Sequence, residues 1–193
     1  GIEVEILSAT KLYETGVYTD KITRAIEKRK EIKIILEDVS HRELPDDWNP
    51  YVPYCGECGR DLTKVDELDL AKTRVHYKCE CGSDGWSDYS KGQGKLVWRV
   101  DWAARWSIFG VTAEPLGKEH ATVGGSYDTG KIISKSIFGY QAPEKIFYEF
   151  LYLKGTKGKM SSSLGNVVST SEMIEFVPPT TMRYLLLKNK DRH

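Results

Sequence analysis

The sequence lacks a long hydrophobic run and a secretion leader. No stretch of about 18 consecutive apolar residues occurs in its 193 residues, so we predict no membrane span. The chain opens on Gly1 and runs at once into alternating apolar and acidic residues, without the charged and then apolar pattern of a signal peptide. We therefore expect a cytoplasmic protein with no membrane partner.

The sequence also lacks an excess of charge of either sign. Its 28 lysine and arginine residues are balanced by 28 aspartate and glutamate residues. A protein that holds nucleic acid through its net charge is usually basic. Any contact with nucleic acid must therefore come from a local patch, or from parts of a larger protein outside this chain.

The first half of the chain divides into two segments of different character. Residues 1–53 combine a strand-like alternation at 2–7 with a helical pattern at 19–39, which indicates one unit of an α/β layer fold. Residues 54–94 hold all four cysteines, several glycines and few aliphatic residues. Such a segment cannot bury much apolar surface. We therefore predict an inserted small domain whose fold needs covalent cross-links or a bound metal ion for stability.

The second half also divides into two segments. The pattern in residues 95–168 predicts a strand at 95–100, helices at 101–109 and 127–138, an irregular stretch with one strand at 111–123, and an aromatic strand at 146–153. In residues 169–193, Ser169 and Glu172 have the spacing of a capping box. A second helix is predicted at 180–188, beside a proline pair.

The cysteines form two close pairs, Cys55 with Cys58 and Cys79 with Cys81. Four thiolates at this spacing can wrap a tetrahedral Zn²⁺, and the glycines beside them let backbone amides approach the sulfurs. His76 could replace one sulfur, and two disulfides or four free thiols are the alternatives. A reducing compartment disfavours disulfides. We predict a structural zinc site, because four protein ligands leave no open position for catalysis.

A glycine-rich string at residues 125–131 comes close to a Walker A phosphate loop. Ile132 follows it where that motif needs Ser or Thr, so the hydroxyl that should reach Mg²⁺ is missing and a P-loop NTPase is disfavoured. Two interpretations of Gly124 and Gly125 stay open. They open a helix N-terminus to an anion or a substrate carboxylate, or they form a tight strand-to-helix turn.

A second loop contains Lys159, Met160, Ser161, Ser162 and Ser163, followed by a glycine and an asparagine. Lysine and hydroxyl groups at the end of a strand suit the transient charge of a pyrophosphate leaving group. A loop of this composition, taken alone, is more often a solvated connector. The full string K-M-S-S-S-x-G-N is more specific, and it predicts a site for the phosphates of ATP.

Four strings together resemble one family. K-M-S-S-S resembles the KMSKS loop of class I aminoacyl-tRNA synthetases, and it occurs with K-L-V-W-R-V-D-W (95–102), G-K-E-H-A (117–121) and G-G-S-Y-D-T-G-K (124–131). This set resembles the class I lysyl-tRNA synthetases of the archaeal type over essentially the whole chain. The resemblance implies an α/β fold: the second half of a Rossmann-like (HUP) nucleotide-binding fold, an inserted zinc-binding domain at 54–94, and the start of a helical domain at 169–193.

The resemblance also implies a two-step reaction. Lysine attacks ATP, bound with Mg²⁺, to give lysyl-adenylate, and the lysyl group then passes to tRNA(Lys). Such chemistry needs positioning and charge stabilisation. The family pattern makes Lys159 and Ser162 catalytic, and makes Lys159, Met160, Ser161, Ser162 and Ser163 the ATP-binding residues. Ser162 stands where the general KMSKS pattern has its second lysine.

Lysine recognition calls for an aliphatic slot with a polar end. The resemblance points to six lysine-binding candidates: Trp98, Glu119, His120, Tyr127, Asp128 and Tyr148. A carboxylate should meet the ε-ammonium, and Glu119, Asp101 and Asp128 are the candidates for it. Other interpretations stay open, since Trp98 and Tyr148 also suit a core and Asp128 also suits a helix cap.

The chain departs from the family in one large respect. No H-I-G-H-type string occurs in the 193 residues, and the helical domain expected to read the anticodon is missing. We therefore expect the central piece of a longer polypeptide, which cannot form lysyl-adenylate alone. The alternative is a zinc-ribbon RNA-binding module without catalysis. Residues 55–88 mix acidic and basic residues without the basic stripe that such a module needs.

Overall fold

The computed structural model describes residues 3–148, 160–161 and 165–188. These residues form a mixed α/β structure with small sheets and helices, in two compact units. The first unit comprises Gly1–Thr112 with Val123–Pro143, and the second comprises Ala113–Thr122 with Glu144–His193. Among the described residues, no helix has both the length and the hydrophobicity that a membrane span requires.

Three helices begin the first unit: α1 (Ala9–Glu14), α2 (Thr19–Glu27) and α3 (Arg29–Ser40). The predicted helix at 19–39 is therefore confirmed as helical, but Lys28 divides it. Of the six apolar residues that predicted it, Ile35 is half-buried and the other five form the buried face: Ile22, Ala25, Ile26, Ile32 and Leu36. The predicted strand at 2–7 is wrong for residues 3–7, which have no regular structure. A strand needs a partner for its backbone, and none of the described strands pairs with these residues.

Two short strands close the cysteine-containing segment. Strand β1 (Tyr51–Pro53) pairs antiparallel with β5 (Gly94–Leu96), in the register Tyr51↔Leu96. Between them lies an antiparallel sheet of β2 (Thr63–Asp69), β3 (Arg74–Cys79) and β4 (Asp84–Asp88) in the order β2-β3-β4. Single 3₁₀ turns follow β2 at Leu70–Lys72 and β4 at Tyr89–Lys91. The β1–β5 pair thus brings the two ends of the segment together.

Helix α4 (Trp98–Phe109) packs against α6 (Ser126–Ser136) in the core of the first unit. The side chain of Trp106 is fully buried there. Gly130 of α6 lies directly over it, since a Cβ atom at Gly130 would be 2.9 Å from the Trp106 ring. The predicted strand at 95–100 is correct only to Leu96, because the chain is helical from Trp98 onward.

The second unit contains a parallel pair of strands, β6 (Ala113–Gly117) and β7 (Glu144–Tyr148). Helix α5 (Lys118–Ala121) follows β6 directly and contacts both strands. The strand predicted within 111–123 is confirmed as β6, whereas the sequence pattern did not predict α5. Strand β7 covers the described part of the predicted strand at 146–153, and the rest of that prediction lies outside the described residues.

Two further helices of the second unit are α7 (Thr170–Phe176) and α8 (Pro179–Lys188). The capping box predicted for α7 is confirmed: the Ser169 hydroxyl accepts from the Glu172 N–H at 3.2 Å, and the Glu172 carboxylate accepts from the Ser169 N–H at 2.7 Å. These two bonds satisfy donors that a helix start otherwise leaves without partners.

Candidate functional site

The four cysteines come together in the first unit. The Sγ atoms of Cys55, Cys58, Cys79 and Cys81 all lie within 4.8 Å of one another. Two of the separations, Cys55–Cys81 and Cys58–Cys79, are 3.7 Å, and all four side chains are free thiols. Zinc–sulfur bonds of about 2.3 Å in a tetrahedron place the sulfurs about 3.8 Å apart. The arrangement therefore fits a tetrahedral metal ion, and no sulfurs are at disulfide distance.

Tight turns bring the sulfurs of each pair together. The Gly59 N–H donates to the Cys55 carbonyl at 2.9 Å, and the Gly82 N–H donates to the Cys79 carbonyl at 3.0 Å. Both glycines have positive φ angles, +71° and +93°. This left-handed conformation costs glycine little and strains other residues. The glycines noted in the sequence thus turn the chain directly after the second cysteine of each pair.

A serine that the sequence analysis did not single out contacts two of the sulfurs. The Ser83 hydroxyl lies 3.0 Å from Cys55 Sγ and 3.1 Å from Cys81 Sγ. Hydrogen bonds from the Cys58 N–H and the Ser83 hydroxyl lower the pKa of Cys55 to about 5. The same hydroxyl lowers the pKa of Cys81. Both side chains are therefore ready to act as thiolate ligands.

The pKa of Cys79 is shifted in the opposite direction, upward. Although the N–H of Cys81 favours its thiolate, burial and the neighbouring thiols raise the pKa of Cys79 to about 12. The metal-free cluster therefore disfavours the thiolate form of Cys79. A divalent cation removes that obstacle, because it compensates the charge and deprotonates its thiol ligands.

His76 lies outside the group of four sulfurs. Its Nδ1 atom is 2.7 Å from a carboxylate oxygen of Asp66, and its Nε2 atom is 3.2 Å from a carboxylate oxygen of Asp84. Both ring nitrogens therefore have carboxylate partners. This geometry favours the four-cysteine set over a set that includes His76.

Three lysine-binding candidates lie at one edge of the β6–β7 pair. Tyr148 is the last residue of β7 and pairs with Gly117, the last residue of β6, while Glu119 and His120 follow in α5. Glu119 is exposed, and Tyr148 is 54% exposed, so neither is a core residue. The carboxyl edge of parallel strands is where α/β proteins bind ligands.

Gly117 makes room for the Glu119 carboxylate. A Cβ atom at Gly117 would lie 2.6 Å from a Glu119 carboxylate oxygen. That separation is far below van der Waals contact, so a larger residue would displace the Glu119 side chain. The Glu119 carboxylate thus lies against Gly117, at the far end of a flexible and exposed side chain.

The loop that resembles KMSKS is described only at its edges. Lys159, Ser162 and Ser163 lie outside the described residues, whereas Met160 and Ser161 are described and half-buried. The Ser161 N–H donates to the Asn166 side-chain oxygen at 2.8 Å, and Gly165 has a φ angle of +65°. Gly165 and Asn166 therefore close a turn, which explains their place in the string.

The remaining candidates lie in the first unit and have different surroundings. Trp98 opens α4, is 52% exposed and stacks on Trp102 with 5.8 Å between ring centroids. Tyr127 is buried, and its hydroxyl donates to the Pro143 carbonyl. Asp128 accepts a hydrogen bond of 2.9 Å from the Gly124 N–H. Trp98 alone of these three presents a large exposed surface.

Asp101, the other candidate carboxylate, is buried in a network of its own. It accepts a hydrogen bond of 2.6 Å from the Tyr13 hydroxyl and pairs with the Arg105 guanidinium. Burial and the adjacent Asp101 charge raise the pKa of Tyr13. This carboxylate is thus already paired within the fold.

The Walker-like string does not form a phosphate loop. Helix α6 begins at Ser126, directly after Gly125, so Gly130 and Lys131 lie inside a helix. A Walker A loop needs backbone N–H groups that curve around a phosphate, and helical residues direct theirs along the helix axis. The glycine pair is therefore the turn before α6, and Gly130 serves its contact with Trp106.

Comparison with known proteins gives a consistent match. A family described as tRNA synthetases class I (K) matches residues 1–193. The chain is 50% identical to lysine–tRNA ligase 1 of Methanosarcina acetivorans over 191 residues, which is 98% of the chain and 36% of that protein. It is 45% identical to the lysine–tRNA ligase of Archaeoglobus fulgidus over 195 residues, which is 100% of the chain and 39% of that protein. The chain thus spans just over a third of the length of the curated relatives it matches.

Proposed function

The chain belongs to the class I tRNA synthetase (K) family, and from this we propose that it is the central part of a lysine–tRNA ligase. The whole enzyme would activate lysine with ATP to lysyl-adenylate and transfer the lysyl group to tRNA(Lys). The observation that carries this proposal is the 45–50% identity to lysine–tRNA ligases over essentially the whole chain. Such a match includes the loop, the cysteine segment and the strand edge together.

We propose that β6 and β7 belong to the second half of a Rossmann-like fold. The chain runs from β6 through α5 and α6 to the parallel strand β7, and parallel neighbours need a crossover of this kind. The loop with Lys159 follows β7 in sequence, and folds of this kind bind nucleotides beyond the carboxyl ends of their strands.

ATP is the proposed ligand of Lys159, Met160, Ser161, Ser162 and Ser163. The lysine would stabilise charge that develops on the phosphates as pyrophosphate leaves, and the serines would donate hydrogen bonds to the same oxygens. Mg²⁺ bound to ATP would share that charge. The turn between Ser161 and Asn166 supports this role, because it fixes one end of the loop.

Lysine is the proposed ligand of Trp98, Glu119, His120 and Tyr148. We assign its ε-ammonium to Glu119, because Asp101 is paired with Arg105 and Asp128 accepts from Gly124. A carboxylate in this role gives a charge-assisted hydrogen bond. Tyr127 and Asp128 would act less directly, by holding the turn at Gly124 and Gly125.

Zn²⁺ is the proposed structural metal of the first unit, held by Cys55, Cys58, Cys79 and Cys81. The tetrahedral sulfur separations support it, and four thiolates leave no position for substrate. Metal analysis of purified protein should find one zinc per chain. Less than half an equivalent would contradict the assignment.

We further propose that the 193-residue chain alone does not activate lysine. No H-I-G-H-type string occurs in its sequence, and the family pattern places that string in the first half of the nucleotide fold. The chain would therefore act together with the rest of the same polypeptide. Lysine-dependent ATP–pyrophosphate exchange by the isolated chain, well above background, would contradict this.

The proposed function is tested in a full-length lysine–tRNA ligase in which this sequence occupies the matching segment. We expect the protein to charge tRNA(Lys) with lysine. Lys159→Ala should lower kcat by about 100-fold or more, the cost of removing one group that stabilises transition-state charge. Lys72→Ala removes the same charge from an exposed turn and should leave kcat unchanged. Equal kcat values for the two variants, or charging with another amino acid, would overturn the assignment.

A further inference from the structure

The first unit contains an open cavity of about 510 Å³, and Trp98 is the one lining residue with a ligand-binding role in the proposals above. The cavity is lined by two arginines, Arg42 and Arg99, and by two tryptophans, Trp48 and Trp98. Aliphatic residues that include Leu36 complete the lining. None of the residues that line it is acidic. The cavity therefore combines positive charge with exposed indole faces.

Arg99 has a donor that the fold leaves without an acceptor. The side chain is half-buried, and its Nε atom is buried with no hydrogen-bond partner among the residues that the structure describes. Its guanidinium carbon lies 5.7 Å from the centre of the Trp98 ring. Buried donors in proteins almost always have a partner, and a guanidinium matches phosphate oxygens in pairs.

The carboxylates next to the cavity do not supply that partner. Glu37 accepts from the Leu44 N–H at 2.8 Å and pairs with Lys33 at 3.6 Å. Asp128 accepts from the Gly124 N–H at 2.9 Å. Since each of these two carboxylates is held by another group, neither is the partner of Arg42 or Arg99.

We propose that this cavity binds the single-stranded acceptor end of the RNA substrate. A base stacks on an indole face, and Arg42 and Arg99 pair with phosphates of the backbone, which is how proteins hold single-stranded nucleic acid. ATP is a poorer occupant, because its phosphates belong to the loop with Lys159 in the proposed function. The inference rests on that function, since it assigns a site to one of its substrates.

The position of Trp98 agrees with this occupant. Its side chain also lines a second cavity of about 240 Å³, which includes Asp101 and Arg105. Trp98 thus lines both cavities, and it is also a proposed contact of the substrate lysine. An RNA end stacked on Trp98 would therefore share this residue with the amino acid that it receives, and the transfer step requires the two to approach each other.

The first test uses the full-length ligase that carries this sequence. We expect Arg42→Gln and Arg99→Gln each to raise the KM for tRNA(Lys) about tenfold, with little change in kcat or in the KM for lysine. Lys30→Gln removes the same charge from an exposed position near the start of α3 and should leave all three values unchanged. Arg99→Lys keeps the charge without the paired donors, so its KM should lie between wild type and Arg99→Gln.

Equal KM values for the arginine variants and Lys30→Gln would overturn the proposal. A rise in the KM for ATP instead would show that the cavity binds the free nucleotide. Thermal unfolding of each variant separates a binding defect from misfolding. If the wild-type enzyme charges no tRNA with lysine, the proposed function fails, and a binding measurement on the chain itself still tests the cavity.

That second measurement is the fluorescence anisotropy of a labelled 12-nucleotide single-stranded RNA ending in CCA, titrated with the 193-residue chain. We expect Arg42→Gln or Arg99→Gln to weaken binding and to reduce the slope of log K against log salt by about 0.7, the value for one lost phosphate contact. Trp48→Leu should weaken binding about tenfold by removing a stacking surface. Binding of a blunt duplex as tight as that of the single strand would contradict the assignment.

Discussion

The hydroxyl of Tyr77 accepts a hydrogen bond of 2.8 Å from the backbone N–H of Gly56. Tyr77 lies in the middle of β3 and is buried against Cys55 and Cys79. Gly56 lies inside the first cysteine pair. This bond therefore ties the two cysteine pairs together through a side chain outside the proposed set of metal ligands, and outer contacts of this kind orient metal ligands.

Tyr77→Phe should weaken zinc binding. The substitution keeps the buried ring but leaves the Gly56 N–H without its acceptor, a loss of about 1–2 kcal/mol, or roughly tenfold in affinity. Competition with a chelator, followed by released zinc, measures the change. Tyr54→Phe removes a hydroxyl from a more exposed tyrosine next to Cys55 and should release zinc as wild type does. Identical release from both variants would show that the Tyr77 bond does not support the site.

His76 should titrate above its ordinary range. Hydrogen bonding to Asp66, and a second contact with Asp84, raise the pKa of His76. A folded-state pKa above the unfolded value of about 6.5 means that this stabilisation is complete below pH 6.5 and is lost as pH rises through the folded-state pKa.

NMR titration of zinc-loaded protein measures this pKa directly. Asp66→Asn should lower the His76 pKa more than Asp84→Asn does, because the Asp66 contact is 2.7 Å and the Asp84 contact is 3.2 Å. A His76 pKa at or below the unfolded value in wild-type protein, or one that Asp66→Asn leaves unchanged, would contradict the ion pair.

Local patterns in the sequence predicted the features that depend on near neighbours. The capping box of Ser169 and Glu172 needs only residues within one turn of helix. Each cysteine pair likewise needs only a glycine that can turn the chain. The convergence of the two pairs was predictable because metal chemistry requires four ligands, although the sequence did not indicate the contacts of Ser83 and Tyr77.

Patterns failed where distant residues decide the structure. The β-prone string before Trp102 predicted a strand to Val100, but β1 offers only three residues for pairing, through Tyr51 to Pro53. The chain instead turns helical at Trp98, and the helix buries both Val100 and Trp106. The sequence also did not predict that Gly117 and Tyr148 lie side by side at one edge of a sheet. This edge arises from parallel pairing between strands that are far apart in sequence.

Glu119→Gln should weaken lysine binding in the full-length ligase. The amide keeps the size of the side chain but loses the charge that we propose to pair with the ε-ammonium. We expect the KM for lysine to rise about 10- to 100-fold with little change in the KM for ATP, measured by steady-state aminoacylation. This value follows from the loss of about 1.5–3 kcal/mol for a hydrogen bond to a charged group.

Asp101→Asn distinguishes the role of the Asp101 carboxylate from that of the Glu119 carboxylate. Asp101 is buried between Tyr13 and Arg105, so its neutralisation should lower the melting temperature and leave the KM for lysine unchanged. The reverse pattern, with Asp101→Asn affecting lysine binding and Glu119→Gln affecting only stability, would exchange the two assignments.

Gly130→Ala should destabilise the protein although alanine favours helix. In a helix interior, alanine is preferred over glycine by about 1 kcal/mol. The added Cβ atom would lie 2.9 Å from the Trp106 ring, and overpacking of a core typically costs about 1–3 kcal/mol. Trp106 is fully buried and packs between Trp102 and Tyr127, so it cannot easily move away. We expect a net loss of about 1 kcal/mol in the free energy of unfolding, measured by denaturant titration.

The sign of the effect should reverse in a Trp106→Phe background. Trp106 approaches Gly130 with the far atoms of its six-membered ring, and phenylalanine is too short to reach that position. The clash is then absent while the helix preference of alanine remains, so Gly130→Ala should stabilise the Trp106→Phe protein by up to about 1 kcal/mol. Comparing the four proteins isolates the contact from the cost of shortening Trp106 itself. The same destabilisation in both backgrounds would mean that something other than Trp106 requires glycine at this position.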